Sequence, residues 1–107
     1  MAIGKLEIII LGMGEDGHTA SLFPGNAALQ DRRAVVPVYN APKPPAERVS
    51  LGLTTLQAAA QRVILVTGSN KHQALLRITQ GEQLPVSQVG ACRWFVDEAA
   101  AHDPDGI

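Results

Sequence analysis

The sequence predicts an α/β fold, a mostly parallel sheet with flanking helices, in a single domain spanning 1–107. Three observations carry that expectation. The apolar runs Ile8–Leu11 and Val63–Thr67 have the composition of buried parallel strands. Each run ends in a glycine-bearing turn, Gly12–Gly17 after the first and Gly68-Ser69 after the second. Strand-like and helix-like stretches then alternate, which calls for right-handed crossovers between parallel strands.

The elements follow in order. Lys5–Leu11 reads as the first strand and Gly12–Gly17 as its loop. Thr19–Leu22 has room for one helical turn before Pro24-Gly25 ends it. Ala34–Val38 alternates as a short strand does, and the three prolines of Asn40–Ala46 demand a surface loop. Arg48–Leu53 is the next strand. Thr54–Gln61 is a short helix, with Leu53, Leu56 and Ala60 at inward spacing. After the strand Val63–Thr67, Ser69 is placed to cap a helix that runs to Thr79. Leu75, Leu76 and Ile78 would form its buried side, and Gly81 would end it. Pro85–Val89 suits a turn or a short helical piece. Ala91–Val96 is the last strand, with Trp94 and Phe95 expected in the core, and Asp97–Ala101 is the last helix. The tail His102–Ile107 should fray.

Composition narrows the function classes. The chain has 107 residues, 46% of them hydrophobic, and a net charge of -1. That balance argues against a general nucleic-acid or membrane-surface binder. Arg32-Arg33 is the sole adjacent basic pair and reads as a solvated loop. No apolar run approaches the ~20 residues that cross a bilayer, and Lys5 and Glu7 interrupt any signal-peptide pattern. Cys92 stands alone, which suits a cytoplasmic setting and a structural thiol. Metal-ligand spacing of cysteines and histidines is missing, so no metal is expected.

The chemistry concentrates in Gly12–His18, where three glycines, two carboxylates and a histidine share seven positions at the end of a strand. Such loops are where open α/β sheets bind ligands. Gly12-Met-Gly-Glu-Asp-Gly17 also matches a dinucleotide fingerprint, but its context is wrong. Pro24-Gly25 forbids the long helix, and Asp31 lies in a polar stretch rather than at a strand end. No nicotinamide or flavin cofactor is expected.

The stretch Leu11-Gly-Met-Gly-Glu-Asp-Gly-His-Thr-Ala-Ser-Leu-Phe-Pro-Gly25 resembles the signature of the 6-phosphogluconolactonases, which share a superfamily with the glucosamine-6-phosphate deaminases. Ser21-Leu22-Phe23-Pro24 is similar to the lactonase continuation rather than to the Asn-Glu-Pro of the deaminases. Pro44-Pro45-Ala-Glu-Arg48, Val66-Thr-Gly68-Ser-Asn-Lys71, Leu84-Pro85 and Trp94-Phe-Val-Asp97 are similar to later family segments, in the family's order. The resemblance implies a Rossmann-like fold of which this chain is the C-terminal half, because family members are longer and carry an earlier glycine-rich phosphate loop. It also implies hydrolysis of 6-phospho-D-glucono-1,5-lactone to 6-phosphogluconate in the pentose phosphate pathway. That chemistry asks for no cofactor and no metal, since a lactone is an activated ester.

The candidate residues carry two readings each. His18 is the general base by resemblance; otherwise it caps the following turn. Asp16 orients His18 or forms an Asx turn, and both can hold together. Gly12, Gly14 and Gly17 serve tight backbone geometry, and their N–H groups could face an anion or oxyanion. Lys71, in the first turn of a helix, would bind the substrate phosphate, against a solvated lysine as the plain alternative. Arg48 sits near the substrate or in a surface ion pair. Ser21 has no base aimed at it and reads as packing. His72 points near the site or to solvent, and His102 has no assigned role. The alternatives to a lactonase are an amino-sugar phosphate deaminase or isomerase, and an inactive fragment that needs a separate N-terminal half. Half of a parallel sheet exposes edges and apolar faces, so self-association or a partner is expected.

Overall fold

The computed structural model describes residues 4–102. Its centre is a three-stranded parallel sheet in the order β1 (Ile8–Gly12), β4 (Gln61–Val66), β5 (Arg93–Val96). The registers pair Ile10 with Val63, and Ile64 with Trp94. The helices are α1 (Leu53–Ala58), α2 (His72–Thr79) and α3 (Glu98–Ala101). β2 (Val35–Val38) and β3 (Arg48–Leu51) form a separate antiparallel ribbon, so the chain is not one parallel sheet throughout. Pro37 sits within β2, a position that a two-stranded ribbon tolerates because one edge of each strand needs no ladder bond.

One face of the parallel sheet closes over the core. Ile9, Ile64 and Val66 lie in one cluster with Leu56 of α1, Ala74 of α2 and Ala100 of α3. Leu22, Leu56 and Ile64 are fully buried, each worth about 1.5–3 kcal/mol of apolar transfer. The opposite face is bare. Ile8, Ile10, Leu65 and Phe95 are 46–66% exposed. Phe95, expected in the core, therefore stands in solvent. Trp94, in register with buried Ile64 on the helix side, is 36% exposed on β5, an outer strand of the sheet.

Local chemistry also moved several boundaries. Thr19–Leu22 is a chain reversal rather than a helical turn. The Leu22 N–H donates to the Thr19 carbonyl at 2.9 Å, and Ala20 takes a left-handed φ of 50°, which a right-handed turn excludes. α1 stops at Ala58, and the Arg62 guanidinium gathers the carbonyls of Leu56, Gln57 and Ala59 at 2.7–3.3 Å, a basic cap on the helix end. Ala60 is therefore exposed and Ala59 is buried. In α2 the buried stripe is Ala74, Leu75 and Ile78. Leu76, one residue off that stripe, is 40% exposed. Ser69 does not cap the helix. It opens a 3-10 turn, Ser69–Lys71, and α2 starts at His72 without a side-chain cap. Asp97 caps α3 instead, accepting from the Ala100 N–H at 2.9 Å, and the same carboxylate accepts from Gly68. Apart from His102, which is exposed, the tail expected to fray lies outside the described residues.

Candidate active site

Strand β1 delivers the loop Met13–His18 to the carboxyl end of the sheet. The loop is closed by its own backbone: the Gly14 N–H donates to the His18 carbonyl and the Gly17 N–H to the Gly14 carbonyl, both at 2.9 Å. Thr19, buried, ties it to the strand by donating its hydroxyl to the Gly12 carbonyl at 2.8 Å. Two glycines are sterically required here. A Cβ at Gly14 would sit 2.0 Å from the His18 ring, and Gly17 has φ +82° with Leu84 2.5 Å from where a Cβ would be. Gly12 has no such constraint, since nothing lies within 4 Å of an added Cβ. The N–H groups of Gly14 and Gly17 are spent inside the loop, so neither faces an anion as the sequence suggested.

The result is a fixed imidazole. His18 Nδ1 lies 2.6 Å from Asp16 Oδ1, and the His18 backbone N–H donates to the same oxygen at 3.0 Å. Burial pushes the Asp16 carboxyl up, but the hydrogen bonds from the His18 backbone and ring, with the charge of the ring, outweigh it and hold Asp16 below its ordinary value. An ionised Asp16 can only accept, so Nδ1 carries the proton that lies between them. Phe23, buried, packs its ring 4.6 Å from the imidazole, centroid to centroid.

His18 and Asp16 open onto a cavity of about 460 Å³ that Lys71 and Arg48 also line, together with Lys43 and Asn70. The fold thus brings the sequence candidates for base, orienting group and cations into one space, with Gly14 in its wall. Gly12 and Gly17 are not among the residues that line it; Gly12 borders a smaller neighbouring hollow with His18. A larger cavity, about 530 Å³, lies by Asp31, Arg33 and Tyr39 and includes none of these groups.

Arg48 is more occupied than expected. It makes no ion pair among the described residues. Its Nε donates to the Pro45 carbonyl at 2.9 Å, its Nη2 to the Lys43 carbonyl at 2.8 Å, and its guanidinium lies 5.2 Å from the Phe23 ring centroid. It therefore folds the proline loop into the cavity wall. Two groups that sequence reasoning missed also shape the site, and so does Glu15, exposed and structural as its sequence reading has it. Lys43 is a third cation on the proline loop. Phe23 supports the imidazole. Glu15 accepts from Asn70 at 2.6 Å, tying the base loop to the turn that bears Lys71. Only the Ser-Leu-Phe-Pro segment hinted at Phe23; the Glu15–Asn70 bond spans 55 residues and has no local signal.

The remaining candidates fall away from the chemistry. His72 Nδ1 lies 2.9 Å from the Ala100 carbonyl and braces α2 against α3. The Ser21 backbone N–H donates to the Ser50 hydroxyl at 3.2 Å. Cys92 precedes β5, half-buried, with its thiol pushed up by burial and donating to the Gly90 carbonyl. Asp31 closes a 3-10 turn and pairs with Arg33 at 2.6 Å.

Residues 1–96 match the sequence family described as glucosamine-6-phosphate isomerases/6-phosphogluconolactonase. The chain belongs to this family. It is 46% identical over 102 residues to the 6-phosphogluconolactonase of Rattus norvegicus and 43% identical over 108 residues to that of Homo sapiens. Those alignments cover 89% and 94% of this chain, but 40% and 42% of the relatives. The chain thus spans about two-fifths of the curated relatives it matches. Among solved structures, the 6-phosphogluconolactonase of Leishmania guyanensis superposes with a TM-score of 0.75 at 32% identity, covering 90% of this chain and 40% of that one. The Thermotoga maritima 6-phosphogluconolactonase superposes with a TM-score of 0.79 at 29% identity, covering 88% and 44%. A monomeric glucosamine-6-phosphate deaminase, at 22% identity and a TM-score of 0.72, shares the fold. No described helix is long and apolar enough to cross a membrane.

Proposed function

We propose that this chain carries the base and a phosphate-binding cation of a 6-phosphogluconolactonase, hydrolysing 6-phospho-D-glucono-1,5-lactone to 6-phosphogluconate in the pentose phosphate pathway. One observation carries the reading: the Asp16–His18 pair, 2.6 Å apart, opens onto the same cavity as Lys71. His18 Nε2 takes a proton from water as its oxygen attacks the lactone carbonyl. Asp16 stabilises the imidazolium that forms. When the tetrahedral intermediate collapses, the bond from the carbonyl carbon to the ring oxygen breaks. The imidazolium then returns its proton to that oxygen, leaving a hydroxyl and a carboxylic acid.

Lys71 holds the phosphate at the far end of the substrate, so remote binding fixes the reacting carbon against the base. Lys43 and Arg48 add positive charge to the same wall, and Arg48 also shapes it. Gly14 admits the substrate close to the backbone, while Gly12 and Gly17 shape the loop. The substrate partner is a phosphorylated sugar lactone, and the setting is cytoplasmic. The relatives in Oryza sativa named chloroplastic show that the same enzyme class also serves a plastid.

A direct assay tests the reading. Lactone hydrolysis is followed for the chain and its His18→Ala variant, each with the remainder of a family member supplied. Equal rates would remove His18 from the mechanism. Ammonia release from glucosamine 6-phosphate without lactone hydrolysis would assign the chain to the deaminase branch instead. The coverage of the relatives favours a second reading of the isolated chain as an inactive part, and the same assay without the added portion measures it.

A further inference from the structure

We infer that Glu15 and Asn70 are positioning residues: their hydrogen bond fixes how far the turn bearing Lys71 stands from the His18 imidazole, so the cavity selects sugar acid phosphates by the span between their carboxyl carbon and their phosphate. This deepens the proposed function and rests on its roles for His18 and Lys71.

The base and the cation come from different elements. β1 and β4 pair in register as far as Gly12 and Leu65. His18 follows the first strand and Lys71 the second, and both lie past the end of that ladder. Among the described residues, one hydrogen bond joins the stretch Gly14–His18 to the stretch Gly68–Lys71. Asn70 Nδ2 donates to Glu15 Oε1 at 2.6 Å. A carboxylate only accepts, so the amide nitrogen must be the group that faces it.

Both ends of this bond are anchored. Glu15 directly precedes Asp16 inside the loop that the Gly14 and Gly17 N–H groups close, so a shift of Glu15 carries the Asp16–His18 pair with it. Asn70 lies in the 3-10 turn Ser69–Lys71. There the Lys71 N–H donates to the Gly68 carbonyl at 3.1 Å, and the Gly68 N–H donates to the Asp97 carboxylate at 3.1 Å. Gly68 is suited to the same contact. Its φ is +97°, and a Cβ there would lie 2.8 Å from Asn70 Oδ1, so glycine leaves the carboxamide the space it occupies while Nδ2 reaches Glu15.

The Glu15 carboxylate shares the cavity with Lys43 and Lys71, yet it makes no ion pair among the described residues and accepts from a neutral amide instead. The two segments are thus tied without using up the cation proposed for phosphate. Glu15 and Asn70 are both exposed, so the bond adds little to stability, and its consequence is geometric. A ligand that must reach two groups at once gains when their separation is fixed, and loses that gain when its own length does not match.

The test supplies the chain with the remainder of a family member and measures binding of 6-phosphogluconate and of its four-carbon analogue, 4-phosphoerythronate, by titration calorimetry. The parent should prefer the longer ligand at least ~10-fold, the gain from engaging both ends. Glu15→Ala and Asn70→Ala should each erase most of that preference. The double variant should be no worse than either, because all three lack the same bond. Glu15→Gln, whose side-chain carbonyl can still accept from Asn70, should keep the preference. A merely structural role would weaken both ligands alike and leave their ratio unmoved. If an alanine variant fails to fold, Asn70→Asp keeps the size of the side chain, sets two carboxylates against each other at neutral pH and should relax the preference in its place. The inference is overturned by a parent without the preference, by an unmoved ratio in Glu15→Ala and Asn70→Ala, by Glu15→Gln behaving like Glu15→Ala, or by additive losses in the double variant. Failure of the lactonase reading looks different: equal hydrolysis by the parent and His18→Ala, or a parent that binds no 6-phosphogluconate, which would defeat both.

Discussion

The loop after β1 and the turn after β4 both leave the carboxyl end of the parallel sheet, yet they hold their functional groups in opposite ways. His18 is pinned by Asp16 at its ring and at its backbone and supported by Phe23. Lys71 lines the same cavity with its ammonium bound to no acceptor among the described residues; only its neighbour Asn70 is tied, to Glu15. The difference matches the tasks proposed for them. Proton abstraction needs a reacting atom within hydrogen-bond reach and correctly oriented, so the base is preorganised. A phosphate has several equivalent oxygens and a diffuse charge, so a flexible ammonium can follow it.

This contrast makes the base loop the sensitive side. In the assembled protein, His18→Ala should lower kcat by ~10²–10⁴-fold and leave binding of 6-phosphogluconate nearly unchanged, as steady-state kinetics and product titration would show. A larger effect on binding than on turnover would reverse the assignment of roles.

Next comes the backbone that seats the ring. Gly14→Ala should displace the imidazole and cost about 1–3 kcal/mol of stability in denaturant melts, since its Cβ would lie 2.0 Å from the ring. Gly12→Ala meets nothing and should melt like the parent. Equal melting of the two variants would mean that the loop is not packed as described.

On the other side, Lys71→Ala should raise KM by about tenfold or more, the loss of one charge-assisted contact to phosphate, with kcat little changed. Lys71→Arg should recover part of the loss. A fall in kcat alone would place Lys71 with the base.

The smallest effect concerns acid stability. Asp16 is held below its ordinary value and Asp31 falls to about 2 beside Arg33. A depressed folded value means that the stabilising contribution is present above the unfolded value. It is lost as pH falls through the folded one. For Asp31 that window runs from 3.8 down to about 2. Asp31→Asn should flatten the acid limb of stability there, modestly, because the pair is exposed and screened. Unfolding midpoints across that range for both proteins would measure it.

Strands β1, β4 and β5 were legible because continuous apolar runs and glycine turns are local signals. So was the Asp16–His18 pair, whose members are two residues apart. The antiparallel ribbon was less legible: Val35–Val38 and Arg48–Leu51 read as strands, but nothing in either names its partner. Arg48 lines the cavity shared by His18 and Lys71. Its engagement with the carbonyls of its own loop was not readable, since an arginine before a strand suits many acceptors.

The sequence by itself determined the family, the loop that carries Asp16 and His18 and the chain order of strands and helices, because these rest on residues close together along the chain. Only the tertiary structure decided which sheet face is covered, that Phe23 packs near both His18 and Arg48, and that Glu15 reaches Asn70. Phe95 shows why. An aromatic residue in an apolar strand is written for burial, but burial requires a second layer, and these helices all pack on the other face.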